Sequence, residues 1–169
     1  KPSSSKYVKG TIDDMILEAI HSHNNGDLPK AIYIYTQIIS SKPEPNNIVL
    51  SVIYKHRGMA YFAQNNYKEA LSDFISSVEQ DKKNFRSYYY AGIASSLMKN
   101  DIEAIEWFTK SLQINLYQSH VYYRRALSYY NMGDNDKALE DLTEANKLGL
   151  EDDDSRKLYE AIKAKKEMF

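Results

Sequence analysis

Four alanines recur at a regular spacing along the 169-residue chain, each just after a short turn. They are Ala31, Ala70, Ala104 and Ala138, and the last three lie 34 residues apart, whereas the first gap is 39. Twelve positions before each alanine stands a small residue: Ala19, Gly58, Gly92 or Ala126. Four positions after it stands a large one: Tyr35, Phe74, Phe108 or Leu142. This period is typical of stacked helix pairs, in which the small residue permits close approach and the large one fills the space.

Composition supports helices and narrows the possible functions. Pro (4) and Gly (6) are scarce, and no segment alternates polar and apolar residues long enough to predict a sheet. A helix start is predicted at Thr11 and Asp14, and the extra residues of the first gap fall at 42–47. The absence of cysteine excludes disulfides and thiolate chemistry, and no apolar run is long enough to span a membrane. The net charge of −1 does not favour nucleic acid.

The second repeat carries Tyr54-x-x-Arg57-Gly58-x-x-Tyr61, followed by Tyr67, Ala70 and Phe74. This pattern resembles the tetratricopeptide repeat, and the resemblance covers roughly residues 12–152. Lys82, Leu116 and Leu150 depart from it, because they stand where the family often has proline. The resemblance implies an all-α, right-handed superhelical solenoid of four helix hairpins. The predicted segments are a flexible lead-in (1–10), four repeats within 11–152 (about 12–45, 51–84, 85–118 and 119–152) and a capping helix (153–169).

The sequence gives little support for catalysis. It contains no glycine-rich phosphate loop, no G-K-[ST], no H-E-x-x-H and no G-x-S-x-G. His21 and His23 point to different sides of a helix, so a metal pair is a weaker interpretation than two surface histidines. The acids at 151–154 fit helix capping better than a calcium loop, because no glycine-containing loop of the required spacing accompanies them. We therefore predict no catalytic residue, no metal and no cofactor.

Charged residues divide between the first and second helices of the repeats. The predicted first helices at 51–64, 85–98 and 119–132 contain no Asp or Glu. Their basic side chains are Lys55, His56, Arg57, Arg86, His120, Arg124 and Arg125. The second helices carry the acids. In the family, first helices line the concave face, so the resemblance implies a positive groove and a negative outer face.

The aromatic side chains divide in a similar way. The repeat pattern assigns one set to the core: Tyr54, Tyr61, Tyr88, Tyr122 and Tyr129. Alignment to the family places a second set toward the groove: Phe62, Tyr89, Tyr90, Tyr123 and Tyr130, with Met59, Ile93 and Leu127 as an apolar floor. Tyrosine gives a large contact area at a small entropic cost, which suits recognition. The alternative is that tyrosine, with 15 copies, is simply abundant in this chain.

These features predict a non-catalytic module that binds an acidic or carboxylate-ending segment of another protein. The alternative is a structural domain that packs within a larger protein or self-associates through its ends. A single-stranded nucleic-acid groove is a weaker alternative, because five basic residues over three helices are few. A full chaperone-tail clamp is not expected: Lys55 and Arg124 match it, but Met59, Tyr90 and His120 replace Asn, Asn and Lys. We predict no membrane insertion and a cytoplasmic location.

Overall fold

The computed structural model describes residues 10–168, and within them all regular secondary structure is helical. The helices are α1 (Ile12–Asn24), α2 (Leu28–Ile39), α3 (Asn47–Ala63), α4 (Tyr67–Gln80), α5 (Phe85–Leu97), α6 (Asp101–Ile114), α7 (Ser119–Asn131), α8 (Asn135–Lys147) and α9 (Asp153–Glu167). The predicted lead-in lies outside the described residues, except for Gly10. The all-α class is confirmed, whereas the boundaries of the four repeats stay a prediction.

Local sequence explains where the helices start and where the chain turns. Thr11 and Asp14 form a capping box: the Thr11 hydroxyl accepts from the Asp14 amide, and the Asp14 carboxylate accepts from the Thr11 amide. Each turn between the two helices of a repeat contains one residue in the left-handed region. These residues are Gly26 (φ 81°), Asn65 (φ 62°), Lys99 (φ 63°) and Gly133 (φ 82°). Left-handed backbone breaks each helix and lets the next one return antiparallel.

The chain forms two compact units, with the boundary between Ser87 and Tyr88 inside α5. In the N-terminal unit, α2 packs against α1 and α3, and α3 packs against α4. Its first core is formed by Ala19, Ala31, Ile34, Tyr35, Ile38 and Ile53. In the C-terminal unit, α7 packs against α6 and α8, and α9 covers the end of α8. The buried side chain of α9, Ile162, joins a cluster with Ala126, Ala138 and Leu142.

The small residue of the repeat lies directly against its large partner. A Cβ atom added at Gly58 would lie 2.7 Å from Cε1 of Phe74, and one added at Gly92 would lie 2.4 Å from Cε1 of Phe108. Both distances are shorter than atoms tolerate, and both rings are fully buried. The predicted close approach of the paired helices is therefore confirmed in both units.

Two arginines bridge neighbouring helices at equivalent positions. In the N-terminal unit, Arg57 on α3 donates two hydrogen bonds of 2.8 Å to the Asp73 carboxylate on α4 and one of 3.1 Å to the Thr36 hydroxyl on α2. In the C-terminal unit, Arg125 on α7 donates to Asp141 on α8 at 2.7 Å and to Thr109 on α6 at 3.1 Å. Each arginine thus holds three successive helices together.

The tyrosines around these arginines are not the core side chains that the sequence predicts. The Arg57 guanidinium carbon lies 5.6 and 5.9 Å from the ring centroids of Tyr54 and Tyr61. Arg125 lies at similar distances from Tyr122 and Tyr129. Among the five assigned tyrosines only Tyr122 is buried, and the others are half-buried. Their rings flank the guanidinium groups, where cation–π attraction adds to packing.

The third repeat replaces the whole bridge. Ala91, Ser95 and Trp107 stand where the second repeat has Arg57, Tyr61 and Asp73. The Trp107 ring stacks on Tyr88 at 6.1 Å between centroids, and its indole nitrogen donates to the Glu103 carboxylate. One large side chain thus takes the place of an arginine and a tyrosine, which fits the small residues at the other two positions.

Because Phe108 occupies the space beside Gly92, we expect Gly92→Ala to destabilise the protein by ~1–3 kcal/mol and Gly92→Leu by more. Denaturant unfolding monitored by circular dichroism measures the loss. If Gly92 did not sit at a close crossing, alanine would instead stabilise the helix by about 1 kcal/mol. A neutral or more stable Gly92→Ala would therefore contradict the packing.

The Arg57–Asp73 bridge is expected to show strong coupling in a double-mutant cycle. The two side chains are only 18% and 6% exposed, so removal of one partner leaves a desolvated charge and costs ~3–5 kcal/mol. We expect a coupling free energy above ~1 kcal/mol from unfolding of the Arg57→Ala and Asp73→Ala variants and their combination. The exposed pair Lys147–Glu144 is the matched control, with a coupling of no more than ~0.5 kcal/mol. Equal coupling in the two pairs would exclude a structural bridge.

Candidate functional site

Two cations of the predicted groove lie near each other in the N-terminal unit. Lys55 on α3 is half-buried, and Arg86 at the start of α5 is exposed. Burial and the Arg86 charge lower the pKa of Lys55. Within residues 10–168 neither cation has a carboxylate within ion-pair distance, and the Arg86 guanidinium carbon lies 5.0 Å from the Phe85 ring. Two uncompensated like charges, one of them half-buried, favour a bound anion.

Histidine 56 lies beside this pair and stays neutral near pH 7. Its ring stacks on the buried Tyr35 ring at 6.0 Å between centroids and 15° between planes. Burial lowers the pKa of His56 to about 4, and the charges of Lys55 and His23 add to this shift. Burial also raises the pKa of Tyr35 to about 12. His56 therefore contributes a polar ring to this surface and no charge near neutral pH.

The C-terminal unit brings together an aromatic cluster around one arginine. The Tyr89 ring lies 5.4 Å from Tyr90 and 4.8 Å from His120, which it meets edge to face. Burial raises the pKa of Tyr89, and the neighbouring Arg124 guanidinium opposes this rise. Partial desolvation and the Arg124 charge lower the pKa of His120. Arg124 is exposed and, within the described chain, forms no ion pair. The cluster offers aromatic contact area and one available cation.

The C-terminal helix contacts the two remaining tyrosines of the predicted groove. Tyr123 and Tyr130 pack against the cluster that contains Ile162 of α9. The Lys165 ammonium lies 5.4 Å from the Tyr130 ring centroid. Burial raises the pKa of Tyr123, and the nearby carboxylates of Asp154 and Asp152 add to the rise. These tyrosines therefore lie at the edge of α9, where the charge of the surface is mixed.

The apolar floor residues are all half-buried. Met59 and Phe62 lie on α3, and Phe62 packs edge-on against Tyr67 at 5.2 Å. Ile93 packs against the core cluster that contains Phe108, and Leu127 lies on α7. The structure thus groups Lys55, His56 and Arg86 in one unit, and Tyr89, Tyr90, His120 and Arg124 in the other. A single groove lined by all the predicted residues stays a prediction.

The charge distribution needs one correction. The sequence assigns Arg57 and Arg125 to the positive face and Asp73 and Asp141 to the negative one. The structure pairs them inside each unit, and both aspartates are 4% exposed. Burial raises the pKa of each aspartate, which its arginine only partly offsets. The cations available to a partner are therefore fewer than the sequence predicts.

The spacing of these pairs was a signal that charge counting missed. Arg57 and Arg125 each stand 16 residues before their aspartates, and so does each small residue before its large partner. Residues at this separation meet across a repeat, so a buried ion pair could have been expected there. In the part of the chain that the structure describes, no three His, Asp or Glu side chains converge on a metal position, and no helix is long and apolar enough to cross a membrane.

Comparison with known sequences supports the interpretation of the repeat. Residues 119–148 match the family model of the tetratricopeptide repeat. The chain is 28% identical over 113 residues to the small glutamine-rich tetratricopeptide repeat-containing protein 2 of Saccharomyces cerevisiae, which covers 67% of this chain and 31% of that protein. It is 24% identical over 136 residues to a TPR repeat-containing protein of Methanocaldococcus jannaschii, covering 73% and 24%. The chain therefore spans a third or less of the length of these relatives.

Solved structures share the fold at low sequence identity. A crystal structure of MamA aligns with a TM-score of 0.80 at 21% identity, covering 88% of this chain and 84% of that one. The first TPR of Spaghetti (RPAP3), bound to the HSP90 peptide SRMEEVD, aligns with a TM-score of 0.68 at 18% identity, covering 70% and 94%. These similarities confirm that the helix pairs stack as tetratricopeptide repeats do.

The low pKa of His56 predicts a loss of stability in mild acid. The unfolded state takes up a proton near pH 6.5, the folded state only near pH 4, so the free energy of unfolding falls as the pH drops between these values. The loss is on the order of 2–3 kcal/mol. We expect His56→Phe, which keeps a ring against Tyr35, to lose less stability over this range in denaturant melts. Parallel pH curves for the two proteins would contradict the assignment.

Proposed function

We propose that this chain, which belongs to the tetratricopeptide-repeat family, is a non-catalytic protein-binding module that takes an acidic or carboxylate-ending segment on its first helices. Lys55 and Arg86 supply the main anion contacts, and Arg124 supplies another. The observation that carries the proposal is the Lys55–Arg86 pair: two neighbouring cations without a carboxylate partner among residues 10–168. An anion beside them removes an unfavourable interaction that the free protein retains.

The aromatic residues provide contact area in this proposal. Tyr89, Tyr90 and His120 form a half-buried to exposed cluster next to Arg124, so a segment held by the cation also meets three rings. Tyrosine and arginine are the residue types that most often dominate binding energy at interfaces. Met59, Ile93 and Leu127 would contact apolar side chains of the same segment, and Phe62, Tyr123 and Tyr130 would border it.

A structural neighbour supports the chemistry of the partner. The RPAP3 repeat domain binds the HSP90 peptide SRMEEVD, in which three of the last four residues are acidic or carry the terminal carboxylate. This chain differs at the clamp positions, because Met59, Tyr90 and His120 replace polar or basic residues. We therefore propose an acidic ligand whose contacts are more aromatic and apolar. The cytoplasmic location stays a prediction.

A structural role is the second candidate, and the length of the relatives favours it. Because the chain matches only 31% and 24% of their lengths, such repeats also occur as parts of larger proteins. A purely structural domain would not depend on its exposed cations. Substitutions at those positions therefore separate the two functions.

We expect the triple variant Lys55→Ala, Arg86→Ala, Arg124→Ala to lose the ligands of the wild type. A displayed library of random peptides, selected on the wild-type protein, should yield segments rich in Asp and Glu. Their affinity, measured by fluorescence anisotropy, should fall with salt, since the attraction is electrostatic. Each contact contributes ~1.5–3 kcal/mol if it becomes buried, and less if it stays exposed.

The matched control is Lys68→Ala, Lys82→Ala, Lys83→Ala, which removes the same charge from exposed positions outside the proposed site. It should bind the selected peptides as the wild type does, and circular dichroism should show that both triple variants fold. Equal loss in the two variants would mean that only net charge matters. Selection of neutral or basic peptides, or full binding by the first triple variant, would refute the acidic-ligand proposal.

A further inference from the structure

The C-terminal unit exposes a group of apolar side chains at one edge of its helix pairs. Leu97 and Met98 end α5, Ile102 lies in the first turn of α6, and Met132 follows α7. They are 43%, 38%, 64% and 51% exposed. We call these four residues the turn patch. Single exposed apolar side chains are common on proteins, but a group of large ones at one edge indicates an interaction surface.

Equivalent turns of the same chain are polar, so the turn patch is not a requirement of the repeat. The position of Ile102 is Pro29, Lys68 and Asp136 in the other three repeats, and the position of Leu97 is Asn24, Ala63 and Asn131. Met98 is matched by Asn25, Gln64 and Met132. The fold therefore forms without apolar residues at these sites, and their exposure needs another reason.

The two turns that carry the patch are adjacent and fixed. The Asn131 side-chain amide donates to the Asp101 carboxylate at 3.5 Å, which brings the α7–α8 turn next to the α5–α6 turn. Asn100 caps α6: its side-chain oxygen accepts from the Glu103 amide, and its side-chain nitrogen donates to the Glu103 carboxylate. A fixed apolar surface loses little conformational entropy when a partner covers it. Its two methionines can adapt to the shape of the partner.

The border of the turn patch is mainly acidic. Glu106 stands one helical turn after Ile102 on α6 and is exposed. Asp136 stands at the same distance after Met132 and is also exposed, with Lys166 as its ion-pair partner. Lys99 is the single basic residue of the α5–α6 turn. Charge complementarity therefore favours a partner that places Lys or Arg around an apolar stripe.

We propose that the turn patch is a second docking surface, which binds a basic amphipathic helix of a partner protein. Leu97, Met98, Ile102 and Met132 contact the apolar stripe of this helix, while Glu106 and Asp136 face its lysines or arginines. The surface shares no residue with the proposed acidic-ligand site and has the opposite charge preference. One chain could thus join an acidic segment to a basic helix.

Methionine methyl NMR tests both surfaces in one experiment. The protein, labelled with ¹³C at the methionine methyl groups, is titrated with a Leu–Lys amphipathic helical peptide of about 18 residues. We expect the Met98 and Met132 signals to shift, while Met59 of the proposed acidic-ligand site stays unchanged. A matched Leu–Glu peptide should bind at least about tenfold more weakly to the turn patch, because its carboxylates meet Glu106 and Asp136.

Two variants make the test specific. Ile102→Lys, which installs the residue found at the equivalent position 68, should weaken Leu–Lys peptide binding by about tenfold or more. Leu116→Lys is the matched control, because Leu116 is 59% exposed in the same unit but outside the patch; its affinity should equal that of the wild type. Equal weakening in both variants would indicate non-specific adhesion and overturn the proposal.

Other occupants give different results. Shifts of Met98 and Met132 that appear on concentrating the protein without peptide would identify a second copy as the occupant and overturn the basic-helix proposal. A shift of Met59 with Met98 and Met132 unchanged would place the basic peptide at the other site and contradict both proposals. Loss of acidic-peptide binding in the groove triple variant, with the turn patch still active, would leave the two functions independent.

Discussion

Close contact between a small and a large side chain, 16 residues apart, sets the geometry on which the other features depend. Gly58 lies against Phe74, and Gly92 lies against Phe108, with no room for a Cβ atom. Because this contact fixes the register of the two helices in a repeat, it also fixes which side chains meet one position earlier and which face outward. Arg57 and Asp73, one position before Gly58 and Phe74, meet for this reason. A substitution at the contact would therefore disturb both the ion-pair bridge and the exposed surface of the first helix.

Much of the fold follows from sequence because its determinants are local or periodic. The 34-residue spacing predicts the helix pairs, and the turn residues Gly26, Asn65, Lys99 and Gly133 lie where the repeat requires left-handed backbone. The capping box at Thr11 and the N-cap at Asp152 are likewise determined by neighbouring residues. Helix-by-helix charge counting failed at Arg57 and Arg125, because it ignores which residues face each other between helices. The tyrosines beside them were assigned to the core for the same reason.

The candidate site was predictable only in part. The sequence identifies Lys55, Arg86 and Arg124 as basic residues of first helices, and the structure shows that they lack the ion pairs that engage Arg57 and Arg125 within the described residues. Sequence could not show that Lys55 is half-buried near Arg86, since this depends on the packing of α3 and α5. Nor does the family pattern indicate the turn patch, because it results from departures at Leu97, Met98 and Ile102. Pairing of the bridging arginines leaves a small number of free cations, which makes each of them more important for binding.

The central claim is that Lys55 and Arg86 form one uncompensated cationic site that an anionic ligand completes. The titration of Lys55, followed by the ¹³Cε chemical shift in the folded protein, measures this directly. We expect a pKa below the ordinary lysine value, because burial and the Arg86 charge disfavour the ammonium form. This pKa should rise in Arg86→Gln and again when a selected acidic peptide binds. A Lys55 that titrates at the ordinary lysine value, and responds neither to Arg86→Gln nor to the peptide, would contradict the account.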